Sequence, residues 1–219
     1  MSELLQLSES APGSLADKAY YALRDMIVSL ELPPGAVLNE AKLMAQLGMG
    51  RTPVREAVRM LVQAKLVEVY PRRGVFVTPV NIRDLASLSE VREILEAHAA
   101  RLAAQRATDD DRRELAPLID ECRRKSSLDR RELIDLDQRI HRHIYRWTHN
   151  SFLEATLDEY YVLALRIWFL ALDRVERLDE AVREHRELLE AIRDRDAERA
   201  EQAMRSHVQG FEQAIRRVL

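Results

Sequence analysis

GRTPVREAVRML, residues 50–61, decides how the N-terminal third of this chain is read. Val54, Ala57, Val58 and Leu61 give it one apolar side, while Arg51, Arg55 and Arg59 recur at every fourth residue. At about 100° per residue, steps of four drift by only about 40°, so the three guanidinium groups share one face. That face lies roughly a third of a turn from the apolar one. The helix is therefore expected to pack on one side and present arginines on the other. Thr52 is expected as its N-cap and Pro53 as its first helical position, with Glu56 complementing the positive end of the dipole. On an isolated helix such a row is an ordinary solvated face, so the flanking sequence has to decide.

Before it, Leu15, Ala19, Ala22, Leu23, Met26, Ile27 and Leu30 follow helical spacing from Ser14 to Glu31, and LPPG at 32–35 is expected to stop that helix. Asn39 is expected to cap a short helix through Leu47, with Leu43, Met44 and Leu47 inward. GMG at 48–50 reads as a tight turn, and the arginine helix runs on to about Lys65. LVEVY (66–70) and GVFVTPV (74–80) read as two strands joined by PRR. This order predicts a winged helix-turn-helix over 14–79, three helices plus a β-hairpin wing, behind a flexible arm at 1–13.

After a linker at 80–83 the chain reads as an all-α antiparallel bundle over 84–219, so the fold class is mainly α. Helices are expected near 84–107, 109–127, 129–149, 151–173, 177–195 and 196–218. Asp109, Asp129, Ser151 and Asp196 are expected at or near their caps. There is no apolar run of about 18 residues, and MSELLQLSES lacks the basic region of a secretory signal. A lone cysteine, Cys122, excludes an internal disulfide framework and fits a reducing cytoplasm.

The formal net charge of −3 argues by itself against nucleic-acid binding, but it is unevenly spread. Asn39–Pro79 holds seven Lys/Arg and three Asp/Glu, whereas Val80 onward holds 25 against 29. A basic module on an acidic body suits local contact with double-stranded DNA. In a helix-turn-helix the second helix enters the major groove with its N-terminal end, where Arg51 and Arg55 sit. Their guanidinium groups can bind guanine O6 and N7 bidentately. Thr52 and the first amides can meet phosphate, Arg59 lies further along where phosphate is its natural partner, and Arg72 and Arg73 at the wing tip can reach the backbone or minor groove.

PGAVLNEAKLMAQLGMGRTPVREAVRMLVQAKLVEVYPRRGVFV resembles the DNA-binding domain of GntR-family bacterial transcription regulators. The resemblance spans some 45 residues and takes in the PG turn, RTPVREA and the RRG wing. It implies that Arg51, Thr52 and Arg55 contact operator DNA. Gly50 departs from the family's usual Ser or Thr, which removes a hydroxyl, and Ala41 stands where some relatives carry an operator-contacting arginine.

A second pattern lies in the bundle, where ionisable groups sit on apolar stripes. These stripes are Leu133, Asp137, Ile140, His141 and Ile144; Leu178, Val182, His185, Leu189 and Ile192; and Ala200, Met204, His207, Phe211 and Ile215. A buried carboxylate and three buried imidazoles are costly without partners. Asp137 and His141 are i and i+4 on one face. His185 and His207 lie about ten residues either side of a turn near Arg195, at similar depth in an antiparallel hairpin. Three nitrogens and one oxygen suit Zn²⁺, Ni²⁺ or another first-row divalent ion. His143 should face elsewhere, and His98 and His149 read as ordinary.

Asp-x3-His followed by two histidines in the last two helices looks like the metal-binding version of the FadR C-terminal domain, and VREILEAHAARLAA (91–104) resembles that domain's first helix. The resemblance implies metal ligation by Asp137, His141, His185 and His207, a small carboxylate effector, and a homodimer on a pseudo-palindromic operator. Six bundle helices suggest the shorter branch of this subfamily. Arg92, on a stripe with Leu85, Leu88, Leu95, Ala99 and Leu102, matches the arginine that meets the effector carboxylate; the alternative is a buried ion pair with Glu96. Asn150 matches a position that is either structural or pocket-lining. The sequence thus reads as an effector-controlled transcription regulator, a repressor by the commoner family outcome, rather than an enzyme: HExxH, GxSxG and phosphate loops are absent. Its rivals are a metal-dependent hydrolase or lyase and a constitutive DNA-binding protein with a structural metal.

Overall fold

The structure is a computed structural model that describes residues 13–81, 83–124, 130–171, 174 and 178–218, without the side chains of residues 130, 131, 178 and 179. The arm (apart from Gly13), Ile82 of the linker, the cap expected at Asp129 and the side chain of Leu178 lie outside this description. The residues form two compact units. One runs to Asn81 and takes in Leu165–Leu170; the other holds the remaining 83–218.

In the first unit, helix α1 (Leu15–Val28) begins in a capping box. Asp17 N–H donates to Ser14 Oγ at 3.3 Å, and Ser14 N–H donates to Asp17 Oδ2 at 2.8 Å. Its Ala19, Leu23 and Ile27 are fully buried, while Leu15, expected inward, is 59% exposed. The helix ends before the proline pair. Leu30 turns left-handed (φ 62°), and the Leu30 and Leu32 amides close onto the carbonyls of Ile27 and Met26.

Helix α2 (Glu40–Leu47) is capped as expected, with Asn39 Oδ1 accepting from Lys42 N–H at 3.1 Å. Gly48 ends it in the left-handed region. Helix α3 (Arg51–Gln63) buries Val54, Ala57, Val58 and Leu61 and packs on α1. Its start corrects the sequence reading: the N-cap is Gly50, so Thr52 and Pro53 are already inside the first turn. A glycine in extended conformation (φ −71°, ψ 173°) can hold this cap position without offering a side-chain acceptor.

Strands β2 (Val67–Tyr70) and β3 (Gly74–Val77) form the expected antiparallel hairpin. The wing has a third strand that the sequence reading lacked: β1 (Val37–Leu38) pairs with β3, giving the order β1-β3-β2. Two residues between a turn and a helix cap carry no period-2 signal, and only the β3 partner defines them as a strand.

The second unit is built from α4 (Asp84–Arg106), α5 (Asp109–Arg124), α6 (Arg130–Trp147), α7 (Ser151–Ala171) without its Leu165–Leu170 segment, α8 (Leu178–Arg193) and α9 (Ala197–Val218). Helix α4 packs chiefly along α9 and also meets α6 and α8. Ala97, Ala99, Ala100, Ala103 and Ala104 are buried on α4, and small side chains let helix axes approach closely. Two expected caps move by one residue. Thr108 caps α5, its Oγ accepting from Asp111 N–H at 3.2 Å. Asn150 caps α7, its Oδ1 accepting from Phe152 and Leu153 N–H at 3.2 Å each. Asp196 caps α9 as expected.

Gly48 holds the turn between the helix-turn-helix pair at φ 63°, and a Cβ there would meet nothing within 4 Å. Gly48→Ala therefore tests backbone conformation alone. It is expected to lower the unfolding free energy by about 1–2 kcal/mol, with Gly48→Asn less affected, as read by urea denaturation of the full chain.

Candidate metal centre and DNA-reading face

Arg51, Thr52, Arg55 and Arg59 are all exposed on α3, and Arg72 and Arg73 are exposed at the wing turn. The first turn of α3 receives no side-chain cap, so its leading amides are left to an outside acceptor. Arg55 Nε donates to both oxygens of Glu40, at 3.1 and 2.9 Å, while its terminal nitrogens bond nothing among the described residues. Both partners are about half-exposed, and such pairs contribute only about 0–1 kcal/mol. The consequence of this contact is orientation, with the free edge of the guanidinium held outward. On the wing, the Arg73 guanidinium sits 5.8 Å over the Tyr70 ring, and Tyr70 Oη donates to Glu68 at 2.7 Å. The sequence reading named neither Glu40 nor Tyr70.

In the second unit, α6, α8 and α9 bring Asp137, His141, His185 and His207 together. All four are buried, and one ligand atom from each lies within 4.8 Å of the others. Asp137 Oδ1 is 3.1 Å from His185 Nε2, 3.6 Å from His207 Nε2 and 3.7 Å from His141 Nε2. His141 Nε2 and His207 Nε2 are 3.2 Å apart. Donors held about 2.0–2.2 Å from one ion in a tetrahedron stand about 3.3–3.6 Å from each other, so the spacing fits a first-row divalent ion. The chemistry fits as well. Asp137 Oδ1 and His185 Nε2 make no hydrogen bond among the described residues, close as they are, because the approach lacks the alignment of one. Two imidazole Nε2 lone pairs also cannot face each other bare: a proton or a metal ion has to lie between them.

The outer atoms of the cluster are held by groups that sequence reasoning did not assign to it. His141 Nδ1 lies 2.7 Å from Glu96 Oε2 and 3.2 Å from Tyr145 Oη. His207 Nδ1 lies 3.0 Å from Glu184 Oε2. Tyr161 Oη donates to Asp137 Oδ2. A carboxylate only accepts, so His207 carries a proton on Nδ1, whereas the hydrogen bond of His141 Nδ1 is with the Tyr145 hydroxyl and the nearer Glu96 Oε2 lies out of line for one. Tyr145 is four residues after His141, a spacing that could have flagged it; Glu96 and Tyr161 come from other helices and left no local signal.

Burial would raise the Asp137 pKa, but the surrounding imidazoles, His141 foremost, hold it well below the usual range. Burial and the neighbouring His207 push His185 down to about 4. Burial also opposes charge on His207, yet the neighbouring carboxylates of Asp137 and Glu184 raise it to about 9. Burial would raise Glu96, but Arg92 and His141 bring it down to about 2. The buried ion pair weighed for Arg92 is present: Nε donates to Glu96 Oε1 at 2.6 Å. The guanidinium lies 5.6 Å from the ring centres of both Tyr161 and Phe211, and its terminal nitrogens bond nothing among the described residues.

Asn150 gives its carboxamide oxygen to the α7 cap. His143 turns away from the cluster, 2.7 Å from the Arg139 carbonyl, and His149 pairs with Asp111 at 2.9 Å. His98 is exposed.

Comparison with known proteins places both halves. Residues 15–77 match the family of bacterial regulatory proteins, gntR family, and residues 87–210 match the FCD domain. A transcriptional regulator of helix-turn-helix type from an unstable DNA locus of Streptomyces ambofaciens is 33% identical, over 91% of this chain and 84% of its own length. The galactonate operon transcriptional repressor of Escherichia coli K12 is 30% identical, over 85% of this chain and 90% of its own length. Among solved structures, McbR/YncC of Escherichia coli matches with a TM-score of 0.83 at 25% identity, over 94% of this chain and 98% of that one.

The cap geometry of Asn150 sets a test. Asn150→Ala should cost about 0.5–2 kcal/mol of stability in urea unfolding, while Asn150→Asp, which keeps the acceptor, should stay near wild type. Equal stability of wild type and Asn150→Ala would take the cap away as this residue's role.

Proposed function

We propose that this chain, which belongs to the GntR family of bacterial regulatory proteins and carries an FCD domain, is a regulator whose affinity for operator DNA is set by a small organic acid bound beside a divalent metal ion. The coarser statement stands on the matches: it is a transcriptional regulator of this family, and its relatives are regulators rather than enzymes. The finer reading assigns DNA binding to 14–79, a linker to 80–83, and effector binding and dimerisation to 84–219. Arg51 and Arg55 read bases, Thr52 and Arg59 meet phosphate, and Arg72 and Arg73 extend the contact from the wing. Two copies place their α3 helices in successive major grooves of a pseudo-palindromic operator.

The observation that carries the effector reading is the four-ligand cluster with its unsatisfied Asp137 Oδ1 and His185 Nε2. Asp137, His141, His185 and His207 would hold the ion, with Zn²⁺ or Ni²⁺ as the chemistry of three nitrogens and one oxygen suggests. Such an ion supplies a Lewis-acidic position that can take a carboxylate oxygen. Arg92 keeps its terminal nitrogens for a bidentate contact with the same acid. Asn150 joins as a further pocket residue only through the turn it caps. The relative named for repressing a galactonate operon supports the ligand class, since galactonate is itself a carboxylate. The effector acts by binding one arrangement of the protein better than another, and it moves DNA affinity only by that difference.

One observation favours a second reading, a constitutive DNA-binding protein with a purely structural metal: the Arg92 charge is already matched by Glu96. A thermal-shift series separates the two. Stripping with EDTA should lower the melting temperature and Zn²⁺ or Ni²⁺ should restore it. A small carboxylate should then raise it further only in the metal-loaded protein, the shift reflecting about 2.7 kcal/mol of added stability at a hundredfold excess over Kd. Metal dependence with no response to any acid would establish the structural reading instead. For the DNA half, Arg55→Ala should weaken binding to fragments selected by the wild-type protein from a random library by about 1–3 kcal/mol. Undiminished binding by a folded variant would remove Arg55 from base reading.

A further inference from the structure

We infer that Glu96 is the positioning residue of the metal centre, and that through it Arg92 and the ligand His141 share one carboxylate. The inference rests on the metal reading above. Glu96 is completely buried on α4, a helix that contributes no ligand. Its Oε1 takes the Arg92 Nε proton at 2.6 Å, and its Oε2 stands 2.7 Å from His141 Nδ1. A carboxylate oxygen at this distance has no proton to give, so its charge draws the His141 proton to Nδ1 and leaves Nε2 for the ion, although the approach is out of line for a full hydrogen bond. Tyr145 Oη, at 3.2 Å, is the only other partner of Nδ1 among the described residues, and it is neutral.

The pairing with Arg92 points the same way: two opposite charges are buried side by side, and a carboxylate in such a place keeps its charge only with a partner of this kind. Arg92 is what permits Glu96 to stay ionised there. A group that draws on Arg92 therefore acts on His141 through one shared side chain.

The test uses the full chain and Zn²⁺, with affinity read by competition against a chromophoric chelator and site geometry by the visible absorption of the Co²⁺ form. Glu96→Gln is expected to weaken Zn²⁺ binding about 10–100-fold and to alter the Co²⁺ spectrum. The double variant Arg92→Met/Glu96→Leu removes both charges together, so it guards against misfolding from a lone buried guanidinium, and it should show the same loss. In metal-free wild type, nitrogen NMR should find His141 protonated at Nδ1, and the double variant should lose that preference. Wild-type affinity and an unchanged Co²⁺ spectrum in either folded variant would overturn the inference while leaving the metal reading intact. A wild-type chain that takes up no metal overturns both, and the tautomer measurement then says whether Glu96 still orients His141.

Discussion

The carboxylate of Asp137 is the constraint around which the second unit is arranged. It is buried among helices, and a bare charge there costs several kcal/mol. Among the described residues no arginine or lysine reaches it; its neighbours are three imidazoles and a phenol. Imidazole is weakly basic and becomes a cation only when something holds its proton. His207 does so by leaning on Glu184 as well as on Asp137, which brings a second carboxylate into the region and raises the demand for positive charge. Helix α4 supplies no ligand, yet it packs against α6 and α9 with a buried arginine and glutamate on that side.

The inward-facing ligands were legible in the sequence for a simple reason. Asp137 and His141 stand one helical turn apart on an otherwise apolar stripe, and period alone puts them together. His185 and His207 required one further step, the assumption that a short loop makes an antiparallel hairpin; their rings lie 4.4 Å apart. The groups behind them were not legible. Glu96 reaches His141 from a helix 45 residues earlier in the chain, and nothing in local spacing records which face of one helix meets which face of another. Hairpin and helices in the first unit were legible from periodicity, whereas the two-residue strand β1 and the start of α3 were not, because both are defined by hydrogen bonds and not by pattern.

The start of α3 shows how a departure from a family pattern can be read physically. Gly50 costs the helix its side-chain cap, which on stability grounds alone is a loss. In a helix whose first amides face outward beside Arg51 and Arg55, those donors have phosphate as a natural acceptor. Glu40 belongs to the same logic. If this face reads DNA as proposed, an acidic residue on it would repel phosphate, and the contact with Arg55 Nε gives that residue a use: a guanidinium tethered by Nε would have fewer ways to miss a guanine.

Arg92 poses the corresponding question in the core. An arginine already paired with Glu96 looks satisfied, and a purely structural role follows if that pairing is complete. It is not complete. Glu96 engages Nε alone, and the terminal nitrogens, which form the edge suited to a second carboxylate, bond nothing among the described residues. The Tyr161 and Phe211 rings lie 5.6 Å from the guanidinium carbon and offer it the negative faces of aromatic rings but no acceptor for its terminal N–H groups. On the proposed reading, an acid arriving there would add to the Arg92–Glu96 pair without having to break it. Its negative charge would loosen the hold of Arg92 on Glu96 and strengthen the claim of His141 on the same carboxylate, so that binding at the arginine and binding at the metal would be linked by electrostatics.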